Sequence, residues 1–266
     1  MGQDLKLQKV KRLLGVTLWA CILSLASAAA QTIPDALPHH ESSAQSPQTA
    51  PAKQPDEKFF GLARRGVRDQ KGIYSAPFHR KNLKWDALFL AVTGGLIAGD
   101  RHVTGAIPRD NPGVSRRISD VGLYSTMATT GAIFVSGIAG KNEHKTETGI
   151  LGLEALANTA GVTAATQWIA GRERPLEGAG HGHFWVNNTV GSSFPSMHSS
   201  LTWSMASVLA REYPRPWVQF LAYGTAATVS VTRVTGLEHF PADVAAGGAL
   251  GYLIGRYIFR THSRFP

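Results

Sequence analysis

From Lys84 onward, apolar residues recur in blocks long enough for helices, and none of them alternates with the period of two that a half-buried strand requires. The pattern predicts six helices, near 84–99, 116–139, 147–170, 197–212, 216–232 and 241–259. The breaks between them are well marked. Pro108 and its charged neighbours separate the first two, and a polar run over 140–147 separates the next two. Tyr213-Pro214-Arg215-Pro216 ends one helix and starts another. A Gly-, Asn- and Ser-rich loop over 176–194 lies between the third and fourth. Roughly 180 residues in this arrangement are enough to enclose one core. The expected fold is therefore all-α: an antiparallel helical bundle of about six helices over 84–260. In an up-and-down bundle, the end of one helix and the start of the next share a side. The ends of the third and fifth helices and the starts of the fourth and sixth are thus expected at one end of the molecule, which is where an active site would lie.

The first 83 residues lack this pattern. Lys6, Lys9, Lys11 and Arg12 precede an apolar stretch over 13–28 that ends in Ala-Ser-Ala and Ala-Ala-Ala, the layout of a secretory signal peptide over 1–30. Five prolines among Ser, Ala and Gln make 31–58 an extended tether. Residues 59–83 are expected as an irregular or amphipathic lead-in, and 261–266 as a tail. The single cysteine, Cys21, lies inside the signal segment, so the cleaved chain has no thiol chemistry. The formal charge is +9. The signal segment holds four positives and one negative (Asp4), so about +6 remains after cleavage. That excess suits a phosphorylated partner or an anionic membrane surface. No basic stripe interleaved with aromatics argues for nucleic acid. The expected location is the periplasm or cell envelope, with integral membrane insertion as the alternative. Only 121–140 reaches the length of uncharged chain that a spanning helix needs.

Three clusters carry the chemistry: Gln167 to Pro175 (QWIAGRERP), Pro195 to His198 (PSMH) and Thr232 to Asp243 (TRVTGLEHFPAD). By the alternation above, all three meet at one end of the bundle. Arginine forks match phosphate oxygens, one histidine can attack phosphorus and the other can protonate the departing oxygen. Ser196 stands at the N-cap of the fourth helix, whose first amides form an anion site. Asp243, four residues after His239 across Pro241, can hold one ring nitrogen and leave the other free.

These clusters resemble the signature of the type 2 phosphatidic acid phosphatase family, whose superfamily includes bacterial acid phosphatases and vanadate-dependent haloperoxidases. Its pattern is Lys-x6-Arg-Pro, Pro-Ser-Gly-His and Ser-Arg-x5-His-x3-Asp. The chain reads Gln167-x6-Arg174-Pro175, Pro195-Ser196-Met197-His198 and Thr232-Arg233-x5-His239-x3-Asp243. The resemblance implies a phosphatase acting on a phosphorylated lipid or small phosphate ester through a phosphohistidine, with no metal or cofactor. It makes His239 the nucleophile, Asp243 its orienting carboxylate and His198 the leaving-group acid. Arg174, Arg233, Ser196 and the amide of Met197 would hold the phosphate. A haloperoxidase using the same anion site is the alternative enzyme. Gln167 stands where the family has lysine and removes a positive charge, with Arg172 as the nearest substitute. This loss, with Met197 for glycine, also allows a weakly active or purely phospholipid-binding relative.

Other features carry less. His181 and His183 lie in the long loop without further ligands at metal-site spacing. The same loop offers Phe184 and Trp185 as a lid over a lipid tail, or is a plain linker. Glu154 within the third helix is expected to partner a buried basic residue, and Asp100-Arg101-His102 has no assigned role.

Overall fold

A computed structural model describes residues 55–76, 79–109 and 111–265. The expected signal peptide and most of the tether lie outside these residues. Seven α-helices and no strand occur among them: α1 (Pro55–Ser75), α2 (Leu83–Gly105), α3 (Pro112–Ala139), α4 (Glu143–Ala170), α5 (Met197–Glu212), α6 (Pro216–Thr235) and α7 (Pro241–His262). The six expected helices are α2 to α7. The bounds of α5 agree to the residue, and the others extend the expected spans by a turn or so. Pro216 and Pro241 open α6 and α7, where the missing proline N–H is no loss.

The lead-in is a correction. Of the irregular and amphipathic alternatives expected over 59–83, the irregular one gives way: α1 runs through most of the segment, followed by a short 3-10 turn at Arg80–Asn82. Tertiary packing supplies what weak periodicity did not announce. Ile73 joins the core, Arg65 pairs with Glu154 at 2.7 Å, and His262 reaches Asp69 at 2.9 Å. The Arg65 pair also gives Glu154 the basic partner expected for it.

Leu151, Ala155 and Val162 of α4, Val208 of α5 and Leu250, Ile254 and Ile258 of α7 form the central core. The α5–α7 contact sets the position of the site. Gly247, Gly251 and Gly255 form an i, i+4, i+8 stripe on α7, and it lies directly on Ser196, Ser200 and Ser204 of α5. A Cβ on Gly251 would sit 1.9 Å from the Ser200 carbonyl oxygen. The helices therefore touch backbone to backbone, bringing the start of α5 against the start of α7. Ser196 N–H donates to the Asp243 carbonyl at 3.0 Å across this contact. Gly251→Ala is expected to lower stability by about 1–3 kcal/mol, read as a drop in urea midpoint at unchanged m-value.

Candidate active site

α4 ends at Gly171, whose φ of 50° places it in the left-handed region that glycine adopts freely. The chain then folds back on the helix end. Trp185 N–H donates to the Ala170 carbonyl and Ser193 N–H to that of Arg172, both at 2.8 Å. The loop is thus tied down along its length. Phe184 packs inward, 4.7 Å from the Arg172 guanidinium and edge-on to Phe194. Phe184, offered by the sequence as part of a lid or a plain linker, lays its ring over an internal ion pair.

That ion pair is the most buried charge cluster of the site. Arg172, 2 % exposed, donates to Asp243 at 2.5 Å and to Asp100 at 2.6 Å, and its Nε donates to the Gly182 carbonyl at 3.2 Å. Phe240 stacks on the guanidinium from 4.3 Å. Arg172 was expected to touch phosphate or replace the missing lysine. Both of its terminal amines are instead held by buried carboxylates, so it organises the protein rather than the ligand. Asp100 gains the role the sequence left open: its other oxygen accepts from the Ala242 amide at 2.9 Å, at the positive end of α7. Burial pushes the Asp100 carboxyl up, opposed by the Ala242 N–H and Arg172.

Asp243 is satisfied on every side. Beyond Arg172, it accepts from Ser193 Oγ at 2.6 Å and from the Phe240 amide at 2.8 Å. His239 stands beside it, but Nδ1 lies 3.7 Å from the carboxylate and only 2.8 Å from the Ser193 carbonyl. The expected direct aspartate–histidine bond is therefore replaced by a carbonyl acceptor, while Asp243 fixes the loop and helix start around the ring. A carbonyl only accepts, so Nδ1 carries the proton and Nε2 keeps its lone pair. Burial lowers the pKa of His239, opposed by Asp243. The turn that carries it includes Leu237 at φ 56°, an uncommon conformation for a branched side chain. It directs both Glu238 and His239 into the cluster.

His198, on the first turn of α5, bonds through Nε2 to Asp120 of α3 at 3.0 Å. Burial pushes its pKa down to about 4, Arg233 acts in the same direction and Asp120 opposes them. The folded protein therefore binds fewer protons than the unfolded chain between about 4 and the ordinary value of 6.5. Stability is expected to fall as pH drops through that window. Urea unfolding at a series of pH values should show a shallower slope in His198→Asn.

Arg174 and Arg233 converge from α4's end and α6's end. Both bond to one oxygen of Glu238, Arg233 from 3.2 Å and Arg174 through a very short contact. Arg116 of α3 holds the other oxygen at 2.7 Å. Arg233 is buried and its Nε has no partner, and Ser196 Oγ, fully buried, has none either. Ser196 is the N-cap of α5, as expected, and its side chain makes no capping bond. The first-turn amides of Met197 and His198 lie beyond any intrahelical acceptor. Gln167 does not stand in the place expected of it. Its amide donates to the Pro195 carbonyl and accepts from the Gly191 N–H, each at 3.0 Å, so it staples the loop before α5.

Sequence reasoning missed Asp120, Arg116, Glu238 and Ser193. The first two had a usable signal: they open the second expected helix, i and i+4, at the end where the clusters meet. Ser193 had none, because its role depends on the path of an irregular loop.

The profile of the PAP2 superfamily matches residues 149–266. A lipid A 1-phosphatase of Porphyromonas gingivalis is 28% identical over 102 residues, 38% of this chain and 20% of that protein. The match thus spans about a fifth of the relative's length. The crystal structure of a transmembrane PAP2-type phosphatidylglycerolphosphate phosphatase from Bacillus subtilis aligns at 21% identity with a TM-score of 0.47, covering 78% of this chain and 98% of that one.

Proposed function

From the match of residues 149–266 to the PAP2 superfamily, we propose that this chain is a phosphatase that removes phosphate from a phosphorylated lipid through a phosphohistidine on His239. The observation that carries the reading is the state of that ring: Nδ1–H held by the Ser193 carbonyl, Nε2 free, with two arginines and a second histidine in the same cluster. Arg174 and Arg233 neutralise the phosphoryl oxygens, aided by the Ser196 hydroxyl and the first amides of α5. The Nε2 lone pair forms the bond to phosphorus as the bond to the ester oxygen breaks. His198 gives its proton to the leaving alkoxide. It then takes a proton from the water that attacks phosphorus, and the P–N bond breaks to regenerate His239. His198 is neutral in the empty site near pH 7, and an adjacent phosphate dianion draws its pKa upward.

A lipid substrate is supported by the outside of the bundle. Among the described residues, α3 is the one helix long and apolar enough to cross a membrane, and only 22% of its apolar window is buried. A core helix would be mostly covered. Val121, Tyr124 and Val135 of α3 are exposed alongside Trp217 and Phe220 of α6. We read this as a membrane-facing surface of an envelope protein, the active end lying at the level of the headgroups. The test is phosphate release by the purified chain from short-chain phosphatidic acid, presented in detergent micelles, and from an aryl phosphate. Turnover of the lipid is the expected result, and release from neither would overturn the proposal.

A further inference from the structure

We infer that Glu238 is a resident carboxylate in the phosphate seat, and that the substrate phosphoryl group binds by displacing it. The inference rests on the reading of Arg174 and Arg233 as the phosphate clamp. Those two arginines come from different helix ends, yet they meet on a single atom, Glu238 Oε2. A carboxylate oxygen shared by two guanidinium groups is the arrangement that a phosphoryl oxygen between the same groups would take. The site thus already holds an anion of its own.

Burial separates this carboxylate from the fixed ones. Asp100 and Asp243 are 1% and 0% exposed, and each is bonded to backbone N–H groups as well as to Arg172. Glu238 is 17% exposed, its carboxylate is bonded to arginine side chains, and it stands on the 236–240 turn rather than inside a helix. Its second oxygen is bonded to Arg116, the most exposed of the three arginines at 38%. A rotation about the glutamate side-chain torsions can therefore release Oε2 from Arg174 and Arg233 while Oε1 keeps Arg116. The carboxylate leaves toward the rim and the phosphoryl oxygens take the inner pair.

In the empty protein, Glu238 satisfies the arginines and holds them at a common point. On binding, its charge competes with the ligand. Removing that charge should raise affinity for any phosphate dianion, because the ligand no longer replaces two charge-assisted bonds.

The experiment measures binding of inorganic phosphate by calorimetry, and steady-state turnover of an aryl phosphate, in wild type, Glu238→Gln, Glu238→Asp and Arg174→Ala. Glu238→Gln is expected to bind phosphate about tenfold more tightly and to lower KM by a similar factor. Glu238→Asp, whose shorter arm cannot reach both inner arginines, is expected to lie between it and wild type. It keeps the charge, so it also serves if the glutamine variant folds poorly. Phosphate binding that is unchanged or weaker in both Glu238 variants, with Arg174→Ala still weakening it, overturns the displacement and leaves the clamp standing. Phosphate binding insensitive to Arg174→Ala overturns the clamp and the displacement together.

Discussion

Replacing His239 by alanine is expected to lower kcat/KM for an aryl phosphate by at least about 10³-fold. His239 alone in the cluster combines an unprotonated ring nitrogen with a second nitrogen fixed by a carbonyl. His198 is turned to Asp120 instead. In the proposed mechanism its removal takes away the proton donor but leaves the attacking group in place. Because His239 is fully buried, alanine also leaves a cavity, so His239→Gln is the companion variant: its amide N–H can still donate to the Ser193 carbonyl. Both variants should bind inorganic phosphate, since the arginines are untouched. Acid-quenched, phosphate-labelled enzyme should lose its label, and base-quenched wild-type enzyme should retain it, because phosphohistidine is labile to acid. Turnover in either variant within tenfold of wild type would exclude the histidine as nucleophile.

The second large effect is expected at Arg172. Arg172→Met leaves Asp100 and Asp243 facing each other, buried and without their shared cation. Breaking a buried pair by removing one partner costs about 3–5 kcal/mol, and here two carboxylates lose the same partner. Arg172→Lys should recover only part of this, because one ammonium cannot offer parallel amines to two acids on opposite sides. Arg172 is a positioning residue: Asp243 holds the Phe240 amide beside His239, and Asp100 holds the start of α7. In the lysine variant kcat should fall by up to about 10²-fold while KM changes little, because the groups that would hold phosphate stay in place. A KM rise at constant kcat would mean that Arg172 touches the substrate after all.

Much of the frame was legible in the chain. Pro216 and Pro241 set helix limits by local backbone chemistry, and local rules do not wait for tertiary contacts. The meeting of the clusters at one end followed from helix alternation, a topological argument that needs no side-chain detail. Partner assignments failed where several acceptors compete for one donor. Asp243 lies one helical turn from His239 in sequence, but the ring took the Ser193 carbonyl, 46 residues away. Arg172 and Arg174 look alike two residues apart. One is sealed under Phe184 and Phe240, and the other reaches the rim. The amphipathic lead-in became α1 because α4 and α7 offered it partners, which its own composition could not reveal.

The sequence by itself determined six of the helices, their order and the end at which the arginine and histidine clusters gather, because periodicity, proline and glycine act within a few residues. Only the tertiary structure decided which arginine is buried between aspartates, which are bridged by Glu238, and which atom holds the His239 proton. Those choices depend on burial and on donor–acceptor distances between segments far apart in the chain. No local pattern encodes them.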